Sequence, residues 1–463
     1  MFDKARKYDV IVVGSGAGAS IVDSALRQNM QVALVDRGPL GGTCLNVGCI
    51  PSKMIIFPAD RVMEIQEAGK LGIEASIQRV DFAAIMERMR RVVSGDREHI
   101  RESIGQTRNL DFYEMEGRFI DGNTLQVGET RIRGNKIFLA SGARSLIPPI
   151  EGIEEIDYLT NESALELTER PTSMVIIGGG YIGVEFGHFF SAMGTDVTIV
   201  GRNGRLVPEE EPEISDLLKG SMSERMPVHT RTEVIEARRD GNGYVVVGRD
   251  RHTGEVREFP TEQVLIAAGR KSNADLLQVE KAGIETGPRG YIRANEFLET
   301  NVPHIWAFGD AIGKHMFRHT ANREAVHAWH NATHGEHGHK IPVDYRAIPH
   351  AVFSYPQIAS VGLTEEQALG EYDILVGEAR YLDVAKGIAM METDGFAKAV
   401  IEKESGKILG FHIIGPYAPI LIQEVVNAMA LEGAVREATA GIHIHPALPE
   451  LIVSTLYNLR EPR

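Results

Sequence analysis

The chain has 463 residues, of which 43% are hydrophobic and 24% charged, and its formal net charge is −15. This composition is typical of a folded globular protein, and the acidic charge disfavours nonspecific binding to nucleic acid or to anionic membranes. No stretch approaches the ~20 apolar residues that span a bilayer, and the N-terminus lacks a secretory signal pattern. Because only two cysteines occur, a secreted disulfide framework is also disfavoured, and we expect a cytoplasmic protein. At roughly 150 residues per domain, the length predicts about three domains.

The first motif of the chain is a glycine-rich turn between two short apolar segments. An apolar strand at residues 10–13 leads into the pattern Gly14-x-Gly16-x-x-Ala19, which opens a helical stretch and a second apolar strand. Such glycines let the chain turn tightly and let a pyrophosphate approach the backbone at a helix N-terminus. Asp36 ends the second strand about 20 residues further on, where an acid binds ribose hydroxyls. The segment therefore predicts a dinucleotide-binding site.

Both cysteines of the chain lie in the next motif, GGTCLNVGCIPSK at residues 41–53. In an unbroken helix the Cα atoms of Cys44 and Cys49 would lie about 8.6 Å apart, whereas a disulfide needs roughly 4.4 to 6.8 Å. Gly48 frees the backbone and Pro51 disfavours the helical conformation of the residue before it, so we expect an irregular helix entry in which the pair can oxidise. Metal binding is the alternative, but it would need two further ligands from histidines because no other cysteine exists.

The glycine-rich unit recurs at residues 173–205 with a different end to its second strand. Its turn comprises Gly178, Gly180, Tyr181, Ile182 and Gly183. Gly201 stands where the first unit has Asp36, and Arg202 and Arg205 follow it. A carboxylate in this position repels a 2′-phosphate whereas arginines attract one, so the sequence favours NADPH over NADH. Two solvated loop arginines without a ligand are the alternative interpretation.

Two dinucleotide sites in one chain predict electron transfer between a flavin, FAD, at the first site and a nicotinamide at the second. Two later strands are predicted to break at Gly142 and at Gly269, as a chain does when it leaves a nucleotide-binding domain. A third strand ends at Gly309 and Asp310. Asp310 is suited to accept hydrogen bonds from the ribityl chain of a flavin, and the alternative is an aspartate that only stabilises a turn.

Together these motifs resemble the pyridine nucleotide–disulfide oxidoreductases, a family that includes dihydrolipoamide dehydrogenase, glutathione reductase, mycothione reductase and mercuric reductase. The resemblance rests on GGTC-x4-C-IPSK, ASGARSLIPP, GGGYIGVE, AAGR, FGDA, FSYPQIASVGLTEEQA and HIHPALPE, and it spans essentially the whole chain. It implies an α/β fold with two Rossmann-like dinucleotide-binding domains and an α+β C-terminal dimerisation domain. It also implies a homodimer whose active sites borrow residues from both subunits.

The resemblance divides the chain into four regions. These are an FAD-binding domain at 1–150, an NAD(P)H-binding domain at 151–270, a central region at 271–343 that completes the FAD site, and a dimerisation domain at 344–463. The residues that the resemblance assigns to FAD are Gly14, Gly16, Ala19, Asp36, Arg37, Gly42, Thr43, Ser141, Gly142, Gly309 and Asp310. Those that it assigns to NAD(P)H are the second glycine turn together with Arg202, Arg205 and Gly269.

The resemblance also implies an electron path through the cysteine pair. Cys49 would lie nearer the flavin as the charge-transfer thiolate, and Cys44 would be the interchange thiol that attacks the substrate disulfide. Lys53 resembles the family lysine beside the reactive edge of the flavin, and Glu185 resembles the glutamate that pairs with it.

A histidine near the C-terminus completes the implied site. Thiol–disulfide exchange needs a base that takes a proton from the attacking thiol and returns it to the leaving one. By resemblance that base is His445, oriented by Glu450, and the pair reaches Cys44 of the partner subunit. His443, two residues earlier, is interpreted as a packing residue or a supporting residue behind the site.

The motifs leave the substrate open. CLNVGCIPSK fits the dihydrolipoamide dehydrogenase group, whereas HPALPE, RHTANREA and VGRNGR are closer to mycothione reductase. Dihydrolipoamide dehydrogenases normally use NAD and carry an acid where this chain has Gly201. Mercuric reductase is disfavoured because no cysteine pair occurs near the C-terminus, and glutathione reductase usually has a different cysteine motif. We expect a dihydrolipoamide dehydrogenase-like enzyme acting on lipoyl, mycothiol disulfide or another small disulfide, with an NAD(P)H oxidase or diaphorase as the more distant alternative.

Two remaining segments have weaker predictions. Residues 315–339 hold seven histidines, of which His327, His330 and His334 share one helix face. A solvated helix is the favoured interpretation, and a weak transition-metal site is the alternative. Residues 419–433 predict a helix whose apolar face suits either a dimer interface or the core.

Overall fold

The computed structural model describes residues 5–335, 338–431 and 433–462 of the chain. His337 of the histidine tract lies outside these residues. The chain divides into two units, each with its own hydrophobic core. The first unit contains the residues up to Ser52, Met86–Leu146 and Gly269–Asp344, and the second contains Lys53–Ile85, Ile147–Ala268 and the residues from Tyr345 onward.

The strands are grouped into several sheets along the chain. They are β1 (Arg6–Val13), β2 (Val32–Val35), β3 (Leu110–Tyr113), β4 (Gly117–Asp121), β5 (Thr124–Val127), β6 (Thr130–Leu139), β7 (Ala143–Ser145), β8 (Ser173–Ile177), β9 (Asp196–Val200), β10 (Val228–His229), β11 (Thr232–Asp240), β12 (Gly243–Asp250), β13 (Val256–Thr261), β14 (Gln263–Ile266), β15 (Arg270–Ser272), β16 (Ile305–Ala307), β17 (Pro349–Val352), β18 (Ile358–Gly362), β19 (Ile374–Arg380), β20 (Phe396–Glu402), β21 (Ile408–Ile414) and β22 (Leu459–Arg460).

The helices connect or cover these sheets. They are α1 (Ala19–Arg27), α2 (Gly42–Asn46), α3 (Cys49–Gln66), α4 (Phe82–Gln106), α5 (Asn161–Ala164), α6 (Tyr181–Ala192), α7 (Pro212–Ser223), α8 (Arg318–His334), α9 (Glu365–Leu369), α10 (Ala385–Met390), α11 (Ala418–Ala430), α12 (Val435–Thr439) and α13 (Glu450–Tyr457).

The first unit is built on a sheet with the order β3-β2-β1-β6, in which neighbouring strands are parallel. Strand β16 also pairs in parallel with β6, while β5 and β4 extend the sheet in antiparallel fashion. The last four residues of β1 are all buried, which is typical of a central strand covered on both faces. Because the carboxyl ends of parallel strands meet at one edge, the turn after β1 lies beside the ends of β2 and β6.

The second unit contains a parallel sheet with the order β10-β9-β8-β14. The second unit repeats an element order of the first. Strand β8 leads into the second glycine turn, α6 and β9, just as β1 leads into the first glycine turn, α1 and β2. The predicted repeat and the α/β class with two dinucleotide-type sheets are therefore confirmed. A three-stranded antiparallel sheet, β11-β12-β13, follows in the same unit.

The C-terminal part of the second unit is an antiparallel sheet with the order β17-β18-β21-β20-β19-β22. Helices α11 and α13 pack on this sheet, and their buried residues include Leu421, Val425 and Leu451. The helix predicted at 419–433 is thus α11, and most of its apolar face belongs to the core. Ile420 on the same helix is 71% exposed.

A buried ion cluster joins this antiparallel sheet to the start of α7. The ammonium group of Lys398 on β20 lies 2.8 Å from a carboxylate oxygen of Glu211 and 2.7 Å from one of Glu365. The side chains of Lys398 and Glu211 are only 4% and 1% exposed. Burial alone lowers the pKa of Lys398, but the hydrogen bonds from Glu211 and Glu365 outweigh it and raise that pKa above its usual value. The lysine is therefore charged at all ordinary pH values.

Replacing this lysine tests the cluster. In Lys398→Met the Glu211 carboxylate stays buried without its cation, which is expected to cost about 3–5 kcal/mol and to lower the apparent melting temperature by several degrees. Lys403→Met is the control, because Lys403 pairs with Glu461 at the surface, where ion pairs contribute little. Equal melting temperatures for the two variants in differential scanning fluorimetry would contradict a stabilising role for the cluster.

Candidate active site

The first glycine turn is held by two close backbone approaches. Gly14 has a φ of 103°, and a Cβ atom there would overlap the carbonyl oxygen of Ala140 at the end of β6. A Cβ atom at Gly18 would overlap the carbonyl oxygen of Gly14. The sequence pattern places its third small residue at Ala19, which begins α1, but the close contact belongs to Gly18. Sequence reasoning missed Gly18, although a glycine in the segment SGAGAS was a signal for it.

Asp36, at the end of β2, fixes the loop that follows this turn. The N–H and the hydroxyl of Ser15 donate to Oδ2 of Asp36 at 2.7 Å and 2.6 Å, and the N–H of Gly38 donates to Oδ1 at 2.9 Å. Arg37 points elsewhere and pairs with Glu116 at 3.2 Å. The predicted ribose acid therefore lies beside the glycine turn with both of its oxygens oriented by the backbone.

Two buried hydroxyl groups of the first unit lack protein partners in the described part of the chain; Ser141 is among the residues assigned to FAD, whereas Thr320 was not predicted. Oγ of Ser141, after β6, and Oγ1 of Thr320, in the first turn of α8, are buried and accept or donate no hydrogen bond among the described residues. Asp310 is half-buried, and desolvation raises the pKa of its carboxyl while Arg270, 3.5 Å away, opposes that shift. Buried polar groups are normally satisfied, so these atoms fit a polar ligand such as FAD.

Backbone geometry around the same turn also fits a bound dinucleotide. A Cβ atom at Gly42 would lie 2.7 Å from the Cα atom of Gly16, so these two backbone segments touch. Gly142 has a φ of 67°, as does Gly309, whose N–H donates to the buried carboxylate of Glu324 at 2.6 Å. These glycines leave room for a ligand to approach the backbone.

The second glycine turn repeats the geometry of the first. Gly178 has a φ of 128°, and a Cβ atom there would overlap the carbonyl oxygen of Ala267 at the end of the neighbouring strand. A Cβ atom at Gly183 would overlap the carbonyl oxygen of Gly178. Helix α6 begins at Tyr181 directly after Gly180, without a side-chain cap. Its first N–H groups are therefore presented to a ligand as they are in a Rossmann turn.

Gly269 differs from the other residues assigned to NAD(P)H. It has a φ of 128° and belongs to the first unit, where its carbonyl accepts the N–H of Leu146 at 2.9 Å. This hydrogen bond extends the antiparallel pairing of the short strands β7 and β15 by one residue.

The loop after β9 carries the predicted arginines. The N–H of Gly201 donates to the carbonyl of His229 at 2.8 Å, which anchors the start of the loop on β10. Arg202 is exposed, and Nε of Arg205 lies 3.3 Å from a carboxylate oxygen of Asp216. The two arginines are thus accessible, and one of them has an exposed carboxylate nearby.

Two further arginines, which sequence reasoning missed, contact this loop. Nε of Arg231 lies 3.5 Å from the position that a Cβ atom at Gly204 would occupy. Arg251 donates to the carbonyl of Arg202 at 3.4 Å, and its N–H donates to the carbonyl of Arg231 at 2.7 Å. Because these residues are far along the chain from the loop, only the pairing of strands brings them there.

The helix that carries the cysteines is interrupted, as the sequence predicts. Helix α2 ends at Asn46 and α3 begins at Cys49. A Cβ atom at Gly48 would lie 2.8 Å from the carbonyl oxygen of Thr43 and 3.2 Å from the Cα atom of Cys44, so the chain folds back on itself at the glycine. Cys44 is half-buried and Cys49 is exposed.

Asn46, between the cysteines, is a further residue that sequence reasoning missed. Its buried amide nitrogen lies 3.1, 2.9 and 2.9 Å from the carbonyl oxygens of Pro39, Leu40 and Gly42. Its Oδ1 accepts from Nε of Arg97 at 3.0 Å. The side chain thereby ties the cysteine segment to the loop that precedes it.

Lys53 and Glu185, which the resemblance pairs, form a two-point ion pair. The ammonium group lies 2.9 and 2.8 Å from the two carboxylate oxygens. Phe353 supports both partners, since its N–H donates to Glu185 at 3.0 Å and its ring lies 4.4 Å from the ammonium nitrogen. The lysine is consequently held in one position and partly shielded from water.

His445 and Glu450 also form the contact that the resemblance implies. Nδ1 of His445 lies 2.8 Å from Oε1 of Glu450, and the N–H of Ala447 donates to Oε2 at 3.1 Å. The His445 hydrogen bond, followed by that of Ala447, holds the pKa of Glu450 below its usual value. An ionised carboxylate makes Nδ1 the protonated nitrogen, which leaves Nε2 of a 73%-exposed imidazole as the acceptor.

His443 has a separate carboxylate partner. Its Nε2 lies 2.5 Å from Glu424 on α11, and its Nδ1 lies 3.1 Å from the carbonyl oxygen of Gly441. The residue therefore holds the loop before His445 against α11, in agreement with its interpretation as a supporting residue.

The histidine tract forms the predicted helix, α8, which is buried along one face by residues such as Ala325 and Ala328. The rings of His330 and His334 stack with centroids 4.8 Å apart. Within the described part of the chain, no group of three or more potential ligands is arranged to hold a metal ion. Nor does any described helix have the length and apolarity needed to cross a membrane.

Comparison with known proteins gives consistent matches over nearly the full chain. The family profile described as pyridine nucleotide-disulphide oxidoreductase matches residues 8–333, and that of its dimerisation domain matches residues 348–456. Mycothione reductase of Mycobacterium tuberculosis is 36% identical and covers 98% of this chain and 99% of its own. Dihydrolipoyl dehydrogenase of Geobacillus stearothermophilus is 34% identical, with coverages of 97% and 95%.

A solved structure agrees with these matches. The hypochlorous acid-induced flavoprotein disulfide reductase RclA of Escherichia coli is 27% identical and superposes with a TM-score of 0.85. The alignment covers 97% of this chain and 99% of that protein.

The hydrogen bonds of Glu450 generate a prediction for the loop that carries His445. Glu450→Ala removes the acceptor for both His445 and Ala447, so amides at residues 441–449 are expected to exchange faster at pH 7 in hydrogen–deuterium exchange. The parent protein should lose the same protection as pH falls through the lowered pKa of Glu450, since a depressed carboxyl pKa contributes stability above the unfolded value and loses it on protonation. Glu378→Ala, which removes a surface partner of Arg460, is the control. Unchanged exchange in Glu450→Ala would refute the anchoring role.

Proposed function

The chain belongs to the pyridine nucleotide-disulphide oxidoreductase family, and from this premise we propose that it is an NADPH-dependent reductase of a low-molecular-weight disulfide. Members of this class are FAD- and pyridine nucleotide-dependent disulfide oxidoreductases, and this chain is one of them. The proposed preference for NADPH is supported by the arginine cluster that Arg202, Arg205, Arg231 and Arg251 form around Gly201. An NAD-binding site has an acid at the position of Gly201. A reducing compartment, the cytoplasm, suits such an enzyme.

The proposed reaction runs through the cysteine pair. A bound FAD would supply the redox chemistry that passes an electron pair from NADPH to the Cys44–Cys49 disulfide, which takes up two protons and becomes two thiols. The Cys44 thiolate then attacks a sulfur of the substrate disulfide, which forms a mixed disulfide and releases one substrate thiolate. Cys49 attacks the Cys44 sulfur, which releases the second thiolate and restores the internal disulfide. The two released thiolates take up two protons, so NADPH, a proton and one disulfide give NADP⁺ and two thiols.

His445 is the proposed proton carrier for these exchange steps. With Nδ1–H donated to Glu450, its exposed Nε2 can take a proton from the attacking thiol and return it to the leaving thiolate. In the homodimer that the dimerisation domain supports, we assign this role at Cys44 to His445 of the partner subunit. His443 and Glu424 keep the loop in place behind it.

Lys53 is the proposed cation beside the reactive edge of the flavin, the place that the family resemblance implies for it. It stands four residues after Cys49 in α3, and its two-point bond with Glu185 fixes the position of the ammonium group. The carboxylate prevents the lysine from turning towards solvent.

A second candidate is dihydrolipoyl oxidation, the same sulfur chemistry run towards NADH. It is supported by the segment CLNVGCIPSK at residues 44–53 and by the dihydrolipoyl dehydrogenase relative. Steady-state turnover with lipoamide, glutathione disulfide and mycothiol disulfide, each with NADPH and NADH, separates the two. A preference for lipoamide with the NAD couple would replace the first proposal by the second.

The proposed preference for NADPH predicts how the loss of Arg202 and Arg205 changes the coenzyme kinetics. In the double variant Arg202→Ala/Arg205→Ala, the kcat/KM for NADPH is expected to fall about 10- to 100-fold while that for NADH stays within about twofold, because only NADPH carries the 2′-phosphate. Arg239→Ala is the matched control, since Arg239 is exposed on β11 at the end remote from the loop and pairs with Asp157. Equal losses for the two coenzymes would contradict the charge argument.

The cysteine pair gives the fourth prediction. In Cys49→Ser, turnover with every disulfide acceptor is expected to fall by at least about 100-fold, because no internal disulfide can form and no second thiol resolves the mixed disulfide. Reduction of ferricyanide, which needs the flavin but no thiol, serves as the internal control and should persist. Unchanged disulfide turnover would favour the oxidase or diaphorase alternative.

A further inference from the structure

Arg318 points at the phosphate-binding glycine turn of the first unit. This residue begins α8, and its Nη1 lies 3.7 Å from the position that a Cβ atom at Gly16 would occupy. Arg318 is half-buried, and no described carboxylate forms an ion pair with it. A partly buried guanidinium group without a carboxylate partner calls for an anionic ligand.

The acids of this region already have other donors. Asp36 accepts from Ser15 and Gly38. Glu324 accepts the N–H of Gly309, and Asp310 lies nearest to Arg270. None of these three carboxylates forms an ion pair with Arg318 among the described residues.

The two helices at the turn add further positive potential. Helices α1 and α8 pack against each other, and neither has an acidic residue in its first turn or a side-chain cap. Each N-terminus contributes a partial positive charge from its N–H groups. Thr320, one turn into α8, adds a hydroxyl that is 1% exposed and has no hydrogen-bond partner among the described residues. The guanidinium group of Arg318, the two helix N-termini and the unpartnered hydroxyl of Thr320 together suit an anion with several oxygens.

We propose that Arg318 binds the pyrophosphate of FAD. The inference rests on FAD occupying the first glycine turn, where Gly16 brings the backbone within reach of the diphosphate. The planar guanidinium donates to two phosphate oxygens at once, and its charge offsets one of the two negative charges of the pyrophosphate. Arg318 is thus a cofactor-retaining residue that the glycine pattern alone does not reveal.

The experiment measures FAD retention in the full-length holoprotein. In Arg318→Gln, the Kd for FAD, obtained from the fluorescence of FAD released on dilution, is expected to rise about 10- to 100-fold, as loss of a charged hydrogen bond implies. Arg318→Lys should show a smaller rise because it keeps the charge without the planar fork. The salt dependence of the Kd should also become shallower in Arg318→Gln, since one phosphate contact is lost. Arg323→Gln, an exposed arginine of the same helix, is the matched control.

The outcomes distinguish a failure of the role proposed for Arg318 from a failure of the assignment of FAD to the first glycine turn. An unchanged Kd in Arg318→Gln, with the control also unchanged, overturns the proposal. A shifted flavin reduction potential at unchanged Kd overturns it as well, because Arg318 would then act on the ring system instead of the pyrophosphate. If the parent protein retains no FAD at all, the assignment of the first site fails before Arg318 is tested. If Arg318→Gln does not fold, the comparison of Arg318→Lys with the parent still decides the outcome.

Discussion

The close approach of two backbones at each glycine turn is the constraint on which the rest of the molecule depends. At Gly14 and at Gly178 a Cβ atom would overlap the carbonyl oxygen at the end of the adjacent parallel strand. Both residues also have φ values above 100°, a conformation that side chains rarely adopt. With these glycines the strand, the turn and the following helix can bring bare N–H groups to a pyrophosphate. Two such turns in one chain make a two-cofactor electron path possible.

Gly48 imposes a further backbone constraint on the segment that carries the two cysteines. Gly48 allows the chain to fold back on Thr43 and Cys44, so that α2 and α3 are separate helices and not one. A continuous helix would keep the two sulfurs too far apart for a bond. Asn46 then fixes the interrupted segment by binding the carbonyls of the preceding loop. The disulfide exchange proposed for the pair thus depends first on backbone conformation and only then on nearby charge.

The sequence predicted those features that depend on neighbours along the chain. The repeated strand–turn–helix–strand unit and the helix break at Gly48 follow from local glycine and proline chemistry, and the structure confirms both. Lys53 and Glu185 are 132 residues apart, and only the resemblance to a family paired them. Arg231 and Arg251 escaped prediction because strand pairing across the β10–β12 region brings them to the loop. Local physics does not encode such long-range contacts.

The distribution of charge explains how an acidic protein binds two anionic coenzymes. The net charge of −15 repels phosphates at long range, but salt screens that repulsion within about 10 Å. The affinity for each coenzyme therefore depends on a few cationic side chains that contact its phosphate groups directly. Lys53 and Lys398 are committed to carboxylates within the protein. Arg318 at the first turn and the arginine cluster at the second lack an equally buried counter-charge, which leaves their hydrogen-bonding groups available to phosphate oxygens.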